Sequence, residues 1–463
     1  MLDNMQKTVL SYGIEYARGL VTFRTSKLPA EVEPDYPQPS SGNAVKNFIN
    51  LKNFNLVSRR PAAPLVMVHG GAGSGKSKVI TSLYNIMTDI LKQKGDDPCC
   101  PYVVLTSFTG AASANINGQT LHSLFGFKFG TTYNSMPDKT RDEKRVLFRK
   151  LKCVIVDEIS MVSADLLYNL DVRLREITQV DKIMGGLSVF LFGDLFQLEP
   201  TAQRYVFKEP VNKEHAVAYH LRNLWRQFTV VHLEENHRQG EDKTYGDLLN
   251  RLRVGKHTEE DVDLLRTRIV SAEDPVLDDA LHIYGTNEKV NRRNDAKLNK
   301  IPGELITVKA KNSSRTLKNF KVKKDGCILN TPFLSVLKLK IGAEVVLVHN
   351  INTLDGLVNG ARGVLVAVEK KDGYIKRFAV KFHNPTHGEL QREKDPCWQD
   401  KDATYIYPVT WQYKVGSNIC TVIQFPLKGA AAITAHKIQA SDQYKSCTHK
   451  ITSNSYQYYF LCS

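Results

Sequence analysis

Gly70-Gly71-Ala72-Gly73-Ser74-Gly75-Lys76-Ser77 fits the pattern G-x-x-x-x-G-K-[ST] and follows directly on the apolar run Leu65-Val66-Met67-Val68. Glycines let a backbone wrap a polyphosphate with its N–H groups turned inward, the lysine neutralises the β/γ oxygens, and the hydroxyl after it ligates Mg²⁺. Gly70, Gly71, Ala72, Gly73, Ser74, Gly75, Lys76 and Ser77 are therefore candidate nucleotide contacts, Lys76 being catalytic as well and Ser77 a metal ligand. A second apolar run, Cys153-Val154-Ile155-Val156, ends in Asp157-Glu158. Two carboxylates there divide the work of hydrolysis: Asp157 holds Mg²⁺ with Ser77, and Glu158 orients and deprotonates the attacking water. A third run, Val189–Phe192, ends in Gly193-Asp194-Leu195-Phe196-Gln197. The Gln197 amide can hydrogen-bond the γ-phosphate or the attacking water, whereas Asp194 reads equally as a helix cap. In Leu233-Glu234-Glu235-Asn236-His237-Arg238-Gln239, Arg238 is placed to reach a γ-phosphate held by another domain and to stabilise transition-state charge.

Each of these groups stands at the end of an apolar run, so strands must deliver them to one edge of a sheet. Val79, Ile80, Leu83, Ile86, Met87, Ile90 and Leu91 recur at three- and four-residue steps, which predicts an amphipathic helix ending near Gly95, its N-terminus facing the phosphates. Further strands are expected at Tyr102–Leu105, Cys153–Val156 and Val189–Phe192, separated by helical segments as in a mainly parallel sheet. Lys27–Asn43, rich in Pro, Ser and Glu, reads as a flexible connection after a short N-terminal helix. A second strand–helix series is expected to begin around Thr229, with Val230–Leu233 and Leu281–Tyr284. Beyond Val308 basic residues crowd Lys309–Lys324, and short β-like runs at Glu344–Val348 and Gly363–Val368 suggest a small all-β insertion. Ser441–Ser463 is polar and aromatic with no clear period.

The 463 residues carry 63 Lys plus Arg against 48 Asp plus Glu, a formal net charge of +15, which favours a polyanionic partner such as nucleic acid. No apolar stretch approaches the ~20 residues that span a bilayer, and Met1–Leu10 lacks the regions of a signal peptide. The eight cysteines include no C-x-x-C pair, which argues against a zinc module or a disulfide framework and for a reducing compartment, cytosol or nucleus.

Taken in order, these blocks resemble the petite-integration-frequency (PIF) family of ATP-dependent DNA helicases, the branch of helicase superfamily one that includes RecD-like enzymes. Ser107-Phe108-Thr109-Gly110-Ala111-Ala112-Ser113-Ala114-Asn115-Ile116 with Gly118-Gln119-Thr120-Leu121-His122-Ser123 resembles the family's DNA-contacting motif. Asn359-Gly360-Ala361-Arg362-Gly363 is similar to its β-insertion signature, and Ala432-Ile433-Thr434-Ala435-His436-Lys437-Ile438-Gln439 to its late T-x-H-K-x-Q motif. The likeness covers roughly residues 1 to 440.

The resemblance implies two RecA-like P-loop NTPase domains, α/β in class, with a small all-β (SH3-like) insertion. The expected boundaries are 1–60 for the N-terminal helix and linker, 61–225 for the first RecA-like domain, 226–343 and 421–440 for the second, 344–420 for the insertion and 441–463 for an atypical tail. It implies ATP and Mg²⁺ as cofactors, Gln6 as an adenine-reading residue, and Thr109, His122, Thr434, His436 and Lys437 as contacts to single-stranded DNA, with Phe125 or Phe127 stacking on bases. The implied activity is ATP-driven 5′-to-3′ translocation on single-stranded DNA and unwinding at duplex junctions, in repair, recombination and telomere maintenance. The implied location is the nucleus or the mitochondrion, with no membrane partner and a monomer as the simplest state. After Gln439 stands Ala440, where the family usually has Gly, and the family's following V-A-L-S-R-like block with its second arginine is not found. The alternatives are thus a truncated remnant that binds ATP and DNA without unwinding, and a P-loop kinase.

Overall fold

The computed structural model describes residues 2–25, 60–127, 132–200, 203–221, 223–235, 243–267, 269–270, 280–312, 321–329, 331–415, 418–434, 447–453 and 456–462. The connection expected at Lys27–Asn43 lies outside them. The chain divides into two compact units, Met1–Lys256 and His257–Ser463.

The first unit is built on six strands: β1 (Leu65–Gly70), β2 (Val103–Ser107), β3 (Gln119–Thr120), β4 (Cys153–Asp157), β5 (Ser188–Gly193) and β6 (Thr229–Leu233), in the order β3-β2-β4-β5-β1-β6. Every pairing is parallel. Parallel strands buried on both faces read as unbroken apolar runs, which is why β1, β4 and β5 stand out in the sequence. Alternation sorts their side chains between two cores. Val66, Val68, Cys153, Ile155, Phe190 and Phe192 face one, while Met67, Val154, Val156, Val189 and Leu191 face the other. The first core is closed by α1 (Asn4–Thr25) and α2 (Lys76–Leu91), through Val9, Leu10, Tyr16, Ala17 and Leu20 on one helix and Val79, Ile80, Leu83, Met87 and Leu91 on the other. Two short helices, α3 (Gly110–Asn115) and α4 (Leu121–Phe125), follow β2 and β3. On the other face lie α5 (Asp138–Leu147) and α6 (Ala164–Thr178), and the unit ends in α7 (Lys213–Leu221) and α8 (Lys243–Arg253).

One strand sits elsewhere than expected. Thr229–Leu233 was to open the second strand–helix series; it is β6, paired along β1 from Val66↔Thr229 to Gly70↔Leu233. Its buried positions, Val231 and Leu233, join the α1/α2 core, and that burial fixes it to the first sheet.

The second unit contains α9 (Glu259–Arg266), β7 (Ile269–Val270), β8 (Leu281–Tyr284), α10 (Asn287–Lys300), β9 (Ile306–Lys309), β10 (Lys311–Asn312), β11 (Val336–Leu339), β12 (Glu344–Leu347), β13 (Arg362–Lys371), β14 (Tyr374–Phe382), α11 (Glu389–Lys394), β15 (Thr404–Ile406), β16 (Val409–Val415), β17 (Asn418–Gln424), β18 (Leu427–Gly429), β19 (Ala432–Thr434), β20 (Cys447–Ser453) and β21 (Tyr456–Cys462). An antiparallel sheet, β15-β14-β13-β12-β18, occupies the stretch expected to be all β and extends it past residue 420 to β18. A mixed sheet, β19-β8-β20-β21-β7, carries Thr434 at the end of β19. The tail for which no period was found supplies the β20–β21 hairpin; its Thr, Ile, Tyr and Phe content suits extended backbone. Among the described residues no helix is long and apolar enough to cross a membrane.

Candidate active site

The phosphate loop begins where β1 ends. Gly70 has no room for a side chain: a Cβ there would stand 2.4 Å from Ser74 Oγ and 3.0 Å from Leu233 Cβ. Ser74 folds back over it, its Oγ donating to Gly71 O at 2.9 Å and its N–H to the same oxygen at 3.3 Å. Gly75 takes φ 77°, the left-handed region that glycine enters without strain, and so turns the chain into α2. Lys76 Nζ donates to Gly70 O and Gly71 O, both at 2.9 Å, and so bends back along the loop. Ser77 is exposed on the first turn of α2.

Gln6 reaches the loop from α1. It is 1% exposed, its Nε2 donates to Ser74 O at 3.0 Å, and its Oε1 accepts the Asp3 N–H at 3.1 Å. The packing of α1 on α2 brings it there, so its amide is engaged in supporting the loop.

The carboxylate pair stands at the end of β4, with β5 between it and β1. Asp157 is buried; its Oδ1 accepts the Glu158 N–H at 2.9 Å, and its carbonyl accepts from Ser107 Oγ at 3.1 Å. Glu158 adopts φ 55°, ψ 49°, a left-handed conformation that costs a non-glycine residue about 1–3 kcal/mol. The close approach of β5 enforces it: Gly193 lies so near that a Cβ would be 2.9 Å from Ile159 N. Both carboxylates act on Lys76. Burial lowers the Lys76 pKa, while Glu158, Asp157 and Asp194 pull it back up and Arg253 lowers it further.

Asp194, at the end of the intervening strand β5, is 2% exposed and is no helix cap. Its Oδ1 accepts the Phe196 N–H at 3.0 Å and its carbonyl the Gln197 N–H at 3.0 Å, which folds Asp194–Gln197 into a tight turn. His69 Nε2 stands 3.6 Å from the same carboxylate, and Arg253 from the end of α8 binds it. Burial lowers the His69 pKa, with Asp194 opposing. Gln197 is half-buried at the end of that turn. Arg238 lies outside the described residues, and the strand before it, β6, belongs to the first sheet rather than to a second unit. Arg253 carries no sequence signal of such a position, because basic residues on an amphipathic helix are ordinary.

The candidate DNA contacts of the first unit lie farther along the same edge. Thr109 caps α3, its hydroxyl accepting the Ala112 N–H at 3.2 Å. His122 on α4 packs edge-on against Phe108 and Phe127, ring centroids 5.8 and 6.3 Å away, and burial lowers its pKa so that it is neutral near pH 7. Phe125 cannot stack on a base: it is fully buried beside Phe148 in the core, since the inward turn of α4 needs an apolar anchor. Phe127, half-buried, and Phe108, which sequence reasoning passed over, are the aromatics left at that surface. Thr434 ends β19 in the second unit opposite Tyr284. His436 and Lys437 lie outside the described residues.

A phosphate loop after a central parallel strand, with a carboxylate pair one strand removed, defines a RecA-like P-loop NTPase unit. The family model of the PIF1-like helicases matches residues 54–263, and that of the 2B domain of DNA helicase Pif1 matches residues 329–368. The ATP-dependent DNA helicase PIF1 of Rattus norvegicus is 30% identical over 432 residues, covering 89% of this chain and 60% of that protein. Its counterpart from Saccharomyces cerevisiae is 27% identical over 396 residues, covering 81% and 42%. The chain thus spans about half the length of the curated relatives it matches. The crystal structure of the Pif1 helicase from Candida albicans superposes with TM-score 0.61 at 26% identity, covering 82% of this chain and 83% of that one. Bacteroides Pif1 bound to single-stranded DNA superposes with TM-score 0.56 at 26% identity, covering 81% and 80%.

Proposed function

We propose that this chain is an ATP-dependent DNA helicase that couples ATP hydrolysis to 5′-to-3′ movement on single-stranded DNA and to separation of duplex junctions, in the nucleus or the mitochondrion, serving repair, recombination and telomere maintenance. The observation that carries the reading is the order of the sheet: the phosphate loop after β1, Asp194 after β5 and the Asp157-Glu158 pair after β4 stand at the ends of three neighbouring parallel strands, and all three carboxylates raise the Lys76 pKa against its burial. The match to the PIF1-like helicase model supports the DNA half of the reading.

The loop amides and Lys76 hold the polyphosphate. The exposed Ser77 hydroxyl and the buried Asp157 carboxylate are a hard-oxygen pair that suits Mg²⁺, and among the described residues no cluster of three or more His, Cys, Asp or Glu offers a rival metal site. Bound there, Mg²⁺ would neutralise charge developing on the β- and γ-oxygens. Glu158 takes a proton from the attacking water, and Gln197 positions that water or the γ-phosphate. Arg238 completes the charge stabilisation. Gln6 holds Ser74 in place, and would read adenine only on turning its buried amide away from Ser74 O. In the first unit Thr109 and His122 contact single-stranded DNA, with Phe108 and Phe127 offering ring faces, and in the second Thr434, His436 and Lys437 do so.

The test is ATP turnover with and without single-stranded DNA, alongside strand separation on a fork with a 5′ overhang. Strong stimulation with unwinding is expected. ATP and DNA binding without turnover would select the non-unwinding alternative, and phosphate transfer to a small acceptor would select a kinase.

A further inference from the structure

Arg253 ends α8, in the same compact unit as the phosphate loop, and its guanidinium meets three parts of the nucleotide site. One Nη binds the buried carboxylate of Asp194 at the end of β5. The guanidinium lies over the Phe196 ring, 4.9 Å from its centroid. The other, Nη1, lies against Gly71 so closely that a Cβ on that residue would be 3.0 Å from it. Nε is buried and has no hydrogen-bond partner among the described residues.

We propose that Arg253 contacts the γ-phosphate of ATP, adding a second fixed cation beside Lys76 from within the unit that holds the loop. This rests on the ATPase reading above. The Gly71 end of the loop is the γ end, because Lys76, which serves the β/γ oxygens, donates to Gly70 O and Gly71 O. A guanidinium presents its donors in a planar fork. With one arm held by Asp194, the fork is fixed in orientation, and Nη1 remains directed at the loop. The Phe196 ring against the guanidinium adds a cation–π contact that further limits its orientations. An ion pair made only to hold α8 on the sheet would not require the guanidinium to lie against a glycine of the phosphate loop.

The readout is the ratio of affinities for ATPγS and ADP, each with Mg²⁺, in the parent, Arg253→Gln and Arg253→Lys. A γ-phosphate contact worth one charged hydrogen bond predicts that Arg253→Gln weakens ATPγS about 10- to 100-fold while ADP changes by no more than about two-fold. Arg253→Lys keeps the charge and loses the fork, so an intermediate ratio is expected. Because the ratio compares two ligands on one protein, a loss of folded fraction moves both affinities together. Equal losses for the two nucleotides, or no loss, would overturn the assignment and leave the ATPase reading standing. A parent protein that binds neither nucleotide would overturn both.

Discussion

Gly70→Ala isolates the geometry on which the phosphate loop depends. The added methyl would stand 2.4 Å from Ser74 Oγ, 3.2 Å from Ser74 Cβ and 3.0 Å from Leu233 Cβ. Rotating the Ser74 hydroxyl away relieves only the first contact, and it breaks the 2.9 Å hydrogen bond to Gly71 O. The other two contacts involve atoms next to the backbone of the loop and of β6, so the chain itself must shift. Overpacking of this kind costs about 1–3 kcal/mol. Because the strain falls on the nucleotide-binding conformation, ATP affinity should drop about 5- to 150-fold, at 1.4 kcal/mol per factor of ten. The melting temperature should fall as well, by about 2–4 °C for each kcal/mol of strain in a unit of this size. Adding Ser74→Ala removes the nearest clash and should recover part of the affinity. Titration of a fluorescent ATP analogue against the parent, the single and the double variant measures this. Parent-like affinity in Gly70→Ala, or a double variant no better than the single, would refute the steric argument.

Glu158→Gln removes the proposed base while leaving Asp157 in place, so ATP binding should persist as DNA-stimulated turnover falls about 10²- to 10⁴-fold; single-turnover hydrolysis measures the chemical step. Equal rates in variant and parent would remove Glu158 from that role. Burial lowers the pKa of His122, as it does for His69, His349 and His387. Below about pH 6.5 the unfolded chain therefore binds protons that the folded chain does not. Stability is fully present above that pH and is lost as pH falls through the window toward the lower folded values. Thermal melts from pH 8 to pH 5 should show this fall, with a shallower slope in His122→Gln; an unchanged slope would mean that His122 is not desolvated.

What could be read from the sequence, and what could not, follows the range of the forces involved. β1, β4 and β5 were legible because strands buried on both faces must be apolar throughout, and the loop after β1 because only glycine tolerates Gly70 and Gly75. The α2 face was legible from its period. The assignment of β6 was not, because Thr229–Leu233 is a plausible strand in either unit and only its register against β1 decides. Phe125 illustrates the same limit: an aromatic within a nucleic-acid motif carries no mark of which way its helix turns. Arg253 is the extreme case. Its role depends on a carboxylate 59 positions earlier, and nothing in its own neighbourhood distinguishes it from the basic residues beside it.

The arrangement of the sheet also explains why β5 matters although it contributes none of the phosphate loop and neither member of the carboxylate pair. Neighbouring strands lie about 4.8 Å apart, so inserting β5 between β1 and β4 sets the ends of those two strands roughly 10 Å apart. Gly193, the last residue of β5, has no side chain, so Glu158 and Ile159 can fold across it. Asp194, the next residue, is a buried carboxylate that must be compensated, and His69 and Arg253 gather on it from β1 and α8. A buried charge left alone would be costly, so the residue that spaces the site also recruits a cation to it. Asp194→Asn should therefore loosen Arg253 while leaving the Lys76 hydrogen bonds to Gly70 O and Gly71 O in place. If the guanidinium serves the γ-phosphate, that variant should reproduce the direction of the Arg253→Gln effect, with ATPγS weakened more than ADP, at smaller amplitude; a variant weakened equally for both nucleotides would place Asp194 in the support of the loop alone.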